Sequence, residues 1–142
     1  MKIKLQILKK VTQSTSLDPS IIIDRIKANL DKEDYRVLKV TNNSVQFDDS
    51  PWKLMWNFQA VRRFDGGKFE INVQDNLSTV TLSYYRSLIA PVIILAAISV
   101  GLIKDGEYYA PLGFLSFYLI AITFNMFTLK GIAQEMLAEI IE

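Results

Sequence analysis

The sequence predicts an α+β membrane protein. An N-terminal antiparallel sheet of about five to six strands is covered by one helix. A two-helix transmembrane hairpin and a short C-terminal amphipathic helix follow. Three observations predict this. Apolar residues alternate with polar ones through most of the first 86 residues, with one stretch of helical periodicity among them. Two charge-free apolar runs, 88–103 and 109–129, then flank the polar Lys104-Asp105-Gly106-Glu107. Charge is split between the parts: residues 1–86 carry a net +4 and residues 87–142 a net −3.

Ile3, Leu5 and Ile7 alternate with Lys2, Lys4 and Gln6, the period of a half-buried strand. The Ser- and Thr-rich residues 9–16 read as a loop. Asp18-Pro19-Ser20 opens a helix, with Asp18 as N-cap and Pro19 in the first helical position. Ile22, Ile26 and Leu30 recur every four residues beside Ile23, and the helix should end near Glu33. Residues 35–41 and 44–47 read as strands joined at Asn42-Asn43, because Asn tolerates the positive φ of a tight turn. Trp52, Leu54, Trp56, Phe58 and Ala60 alternate with Lys53, Asn57 and Gln59 as a further strand. Asp65-Gly66-Gly67 reads as a hairpin turn, and Asp75-Asn76 as another between strands 68–74 and 77–85. A last strand that ends at the bilayer brings the start of its antiparallel neighbour there too. Arg62, Arg63, Lys68 and Arg86 would then cluster at lipid headgroups.

Three domains follow: a cytoplasmic α+β domain over 1–86, a hairpin over 87–129 with spans of about 87–104 and 109–129, and a tail over 130–142. The first run has 16 residues, about 24 Å of helix. That is short for a hydrocarbon core of about 30 Å, so Tyr84, Tyr85 and Ser87 would extend it into the interface. The second run has 21 residues. The soluble alternative is a buried helical hairpin inside a larger complex. Arg62, Arg63, Lys68, Arg86 and Lys130 flank the runs, while the connecting loop sets Lys104 against Asp105 and Glu107. The positive-inside rule therefore puts both termini in the cytoplasm of a cell inner-membrane protein. The first residues lack the long apolar run of a signal peptide. Ala97 and Gly101, four apart, permit close helix approach, and Asn125 is the costliest intramembrane polar group to leave unpaired. All three are candidate helix-packing residues. A lining role for Asn125 in an ion path is less favoured, since neither run holds an acid or base. In the tail, Ile132, Met136 and Ile140 form a stripe beside Ala133, Leu137 and Ile141, opposite Glu135, Glu139 and Glu142. It either forms its own amphipathic helix, docked on the basic domain or a sister subunit, or extends the second span.

The chain has no Cys and no His. That excludes thiol catalysis, disulfides and the usual zinc and haem ligands, and it removes the commonest general base. No phosphate-binding glycine motif is present. Asp48, Asp49 and Asp65 are the only acidic grouping to weigh for metal or phosphoryl chemistry, and their Ser-Pro and Gly-Gly neighbours favour turn chemistry instead. The Trp52, Trp56 and Phe58 stripe could line a pocket, although strict alternation favours core. No catalytic residue, metal or cofactor is expected. The expected function is that of a small, non-catalytic integral-membrane accessory or scaffolding subunit. Its partners would be membrane lipid and other membrane subunits or a second copy, and not nucleic acid. The alternative is a membrane-proximal module that senses anionic lipid or a small apolar ligand.

Overall fold

The protein, as a computed structural model, is described over residues 6–49 and 62–142. Its elements in chain order are β1 (Gln6–Thr15), α1 (Pro19–Lys32), β2 (Arg36–Val40), β3 (Ser44–Asp48), β4 (Gly66–Gln74), β5 (Leu77–Ser87), α2 (Ile89–Lys104) and α3 (Ala110–Ile141). The strands form one antiparallel sheet in the order β1-β5-β4-β3-β2. The predicted Trp strand, and residues 1–5 of the first strand, lie outside the described residues.

α1 starts where the Asp18 side chain accepts the backbone N–H of Ser20 at 2.9 Å. It stops at a paired closure in which the Tyr35 N–H reaches the Leu30 carbonyl at 2.8 Å and the Asp34 N–H reaches that of Asp31 at 3.0 Å. Asp34 supplies the left-handed residue, at φ 59°. The helix joins β1 to β2, strands at opposite edges of the sheet, so it must cross one sheet face. Ile22, Ile23, Ile26 and Leu30 are buried there. From the sheet, Val45, Phe47, Phe69, Ile71, Val80, Leu82 and Tyr84 meet them at every second position. Phe64 completes a run of rings, 4.6 Å from Tyr84 and 6.3 Å from Tyr35 between centroids. The opposite sheet face stays polar, as an antiparallel sheet allows.

Two turn and loop expectations change. Gly66 and Gly67 belong to β4 and have no positive φ. They are glycine because β5 and Phe47 lie too close for a side chain, not because the chain turns. Residues 9–15 form most of β1 rather than a loop. Val11 is the one aliphatic residue there, so hydrophobic period is silent. Pairing along β5 decides the conformation, helped by the Thr12–Thr81 and Ser14–Thr79 hydroxyl contacts at 3.1 and 3.3 Å. The Asp75-Asn76 turn has positive φ at both residues, 50° and 62°, as a tight hairpin requires.

The membrane architecture is the main correction. A two-helix transmembrane hairpin is not what the described residues form. α3 alone is long and apolar enough to cross a membrane. α2 is a 16-residue helix that rises about 24 Å, short of a core of about 30 Å. Strand β5 runs on to Ser87 and takes up Tyr84 and Tyr85, the residues that would have lengthened α2. At its other end α2 closes at Gly106, φ 86°, where the Glu107 N–H returns to the Leu102 carbonyl at 2.9 Å. The separate C-terminal amphipathic helix is corrected as well. The tail is the second half of α3, one unbroken helix of 32 residues and about 48 Å. Leu129, Ala133, Met136, Leu137 and Ile140 are buried in the same core as α1 and the sheet. The sheet is thus covered by two helical segments instead of one.

Candidate functional site

α2 and the first half of α3 form an apolar arm. α2 buries no residue, and only 6% of the most apolar 18-residue window of α3 is buried. A core helix of a soluble protein would be mostly covered, whereas this surface is left bare by the rest of the chain. Three of the arm's hydroxyls are satisfied within their own helices, while the buried Tyr118 hydroxyl has no hydrogen-bond partner. Ser99, Ser116 and Thr123 donate to the carbonyls of Leu95, Leu112 and Leu119 at 2.8, 2.9 and 2.8 Å. Each polar group is thereby taken out of play at little cost in an apolar surrounding.

A cleft of about 580 Å³ lies where the arm meets the sheet. Ile7, Lys9 and Lys10 of β1 line it from the sheet. Ile122, Thr123, Met126, Phe127 and Lys130 line it from α3. Tyr84 lies in its wall, paired across the sheet with Lys9, and its buried hydroxyl has no hydrogen-bond partner. Among the described residues, Lys9 and Lys130 make no ion pair, and residues 1–5 and 50–61 contain no Asp or Glu that could supply one. Lys10 lies near enough to Glu70 to help Lys68 hold that carboxyl below its usual range. An exposed cation beside bare apolar wall is a junction of two solvents: one side suits an anion, the other a hydrocarbon chain.

The four residues expected at headgroups divide. Arg62 is exposed. Arg63 is only 15% exposed and works as a clamp. Its Nε and Nη2 reach Asp49 at 2.9 and 3.1 Å, its Nη1 and Nη2 reach the carbonyls of Glu33 and Asp34 at 2.6 and 3.1 Å, and its guanidinium lies 4.2 Å from the Tyr35 ring centre. Arg86 donates to the Arg63 carbonyl at 2.8 Å. Lys68 pairs with Glu70 at 2.6 Å on the polar sheet face. The pairing of Gly66 with Tyr85 sets the start of β4 beside the end of β5, next to α2.

Ala97 and Gly101 are exposed on α2, and a Cβ on Gly101 would meet nothing within 4 Å. Within the chain, then, the partly covered residues of α2 are others, Leu95, Ser99 and Leu102 among them. Asn125 is half-buried on α3. The carboxylates serve structure: Asp48 takes a bidentate contact from Arg36 at 2.8 and 2.7 Å, and Asp65 accepts the Ser87 N–H at 2.6 Å. No group of three His, Cys, Asp or Glu that could hold a metal ion occurs among the described residues. The Trp52, Trp56 and Phe58 face lies outside them.

The cleft is not legible in the sequence, where the polar run 9–16 reads as a loop and Lys130 bears only on orientation. The adjacent Lys9-Lys10 pair was visible, but nothing in the sequence brings residue 130 across from residue 9. Comparison with known protein families, curated proteins and solved structures finds no match.

Proposed function

We propose that this chain is a non-catalytic accessory subunit of the cell inner membrane, held by its apolar arm and joined to partner subunits along it. One observation carries the reading. The arm's surface is almost wholly apolar and exposed, yet α3 carries it without a break into the core of the sheet domain. Soluble monomers rarely expose contiguous apolar patches beyond a few hundred Å². Lipid accounts for that surface. The continuous helix then couples whatever meets the arm to the sheet domain.

In this reading the sheet domain and the C-terminal half of α3 lie on the cytoplasmic face. Lys9, Lys10, Arg62 and Lys130 are exposed cations on the sheet side of the arm, and the turn between α2 and α3 sets Lys104 against Asp105 and Glu107. The absence of native Cys makes a clean test possible. Lys39→Cys and Glu142→Cys should resist a membrane-impermeant maleimide in intact spheroplasts and react after permeabilisation. Labelling before permeabilisation reverses the orientation. Sedimentation with membranes that resists alkaline carbonate is expected for the unaltered protein, and its release by carbonate would remove the anchoring reading.

Gly101→Leu tests the accessory role. The position has open space around it, so the chain should fold and enter membranes as before. Partner co-purification or self-association in mild detergent should be lost. Retention of the full association in Gly101→Leu argues that this face of α2 is not the contact. A second reading is favoured by the cleft: a membrane-proximal binding module that responds to anionic lipid through the unpaired Lys9 and Lys130.

A further inference from the structure

We infer that the cleft between β1 and α3 holds one anionic phospholipid drawn from the surrounding leaflet, its phosphate at Lys9 and Lys130 and an acyl chain along Ile122, Met126 and Phe127. The inference deepens the second reading above and rests on it. Four observations select this occupant. Lys9 and Lys130 come from elements more than a hundred residues apart in sequence and converge on one cavity without an acidic partner among the described residues. Two unpaired ammonium groups repel each other, and an anion between them removes that repulsion. The rest of the wall is mostly hydrocarbon, from Ile7, Ile122, Met126 and Phe127 beside the single hydroxyl of Thr123, with Phe127 71% exposed, so a free inorganic anion would leave that surface unused. That wall is also continuous with the exposed apolar surface of α3 above it, the surface expected to lie in lipid.

Size and depth agree with this. About 580 Å³ lies within the usual range for small-molecule sites and accommodates a headgroup with the first part of one chain. The rest of a diacyl lipid would lie along the arm in the bilayer. Lys9 and Lys130 can carry their charge on flexible stems that lie against apolar surface. Lys10, shared with Glu70, adds positive potential at the rim without being the main contact. Tyr84 contributes the one buried polar atom of the lining that lacks a partner, within the wall beneath the headgroup position.

The test uses the full chain, delipidated in mild detergent and offered phosphatidylglycerol, phosphatidylcholine or inorganic phosphate. Native mass spectrometry counts what stays bound. Expected is one retained phosphatidylglycerol, little phosphatidylcholine and no phosphate. Lys9→Gln/Lys130→Gln should weaken phosphatidylglycerol retention roughly 30-fold, at about fivefold for each basic residue lost near an anionic group. Lys9→Arg/Lys130→Arg keeps both charges and should keep the lipid, which separates a lost contact from a lost fold. Equal retention of the two phospholipids overturns the inference, and so does unchanged retention in the Gln variant. Carbonate-resistant sedimentation of the same variants tells the two readings apart. If they stay in membranes without lipid selectivity, this inference fails and the anchoring stands. If the unaltered protein leaves the membrane, the anchoring fails first.

Discussion

A methyl group on Gly67 would lie 2.6 Å from the Ser83 carbonyl oxygen and 2.9 Å from the Phe47 ring. The carbonyl belongs to the paired strand and cannot move without breaking the ladder. Gly67→Ala should therefore cost about 2 kcal/mol, the scale of overpacking a tight core, and lower the denaturation midpoint without changing its slope. Arg63 is a second point where one residue holds several others. It ties Asp49, the residue after β3, to the end of α1 through that carboxylate and two backbone carbonyls. Arg63→Ala leaves the largely buried Asp49 carboxylate without this partner, a loss of about 2–3 kcal/mol, and Arg63→Lys should recover little because a point charge cannot repeat the fork. Chemical denaturation of both variants checks this. Gly66-Gly67 and Arg62-Arg63 both stand out in the sequence. What was legible was that these positions are special. A close strand approach and an inward guanidinium depend on neighbours that come from elsewhere in the chain.

At the scale of elements, the decisive one is α3. Its first half has a surface fit for lipid and its second half a stripe that fills the sheet's core. Leu137 is fully buried, so Leu137→Ala should cost about 3 kcal/mol, a loss of transfer energy plus a cavity. A matching change on the arm, Phe124→Ala, should leave the sheet domain's thermal unfolding unchanged, since Phe124 is 71% exposed. Differential melting of the two variants distinguishes the halves. In the β4–β5 hairpin, Asn76 holds φ 62°. Asn76→Gly should stabilise by about 0.5 kcal/mol, because Gly meets no steric penalty there. The alternation of β3 to β5, the Asp18 cap and the apolar stripe of 132–141 were all legible, since each is a local period or a local hydrogen bond. The join between arm and tail was legible only as one of two options, a separate helix or an extension of the second run, and α3 takes the extension.

For the whole molecule, burial pushes the phenols of Tyr35, Tyr84 and Tyr85 above their ordinary value of 10.0. Folding thus favours the neutral form. That contribution is complete below pH 10 and is lost as pH rises from there toward the higher folded values, where the unfolded chain ionises first. Thermal stability should fall above pH 10 with phenolate absorbance rising as the fold opens. Tyr35→Phe should reduce the slope. An unchanged slope in Tyr35→Phe would mean that the Tyr35 phenol ionises as readily in the fold as outside it. The aromatic core, the α1 cover and the second half of α3 share one cluster, so the sheet domain and the tail should unfold together.

The sequence alone determined which stretches avoid water and which alternate, because burial and period are written residue by residue. It therefore marked α1, most strands, the apolar arm and the amphipathic stripe. Tertiary structure decided how long each helix is, which glycine is a turn and which a contact, and where the lysines point. α2 is short because β5 claims the residues before it. Lys9 and Lys130 line one cleft because α3 packs against β1. These outcomes follow from competition between distant segments for the same residues and the same space.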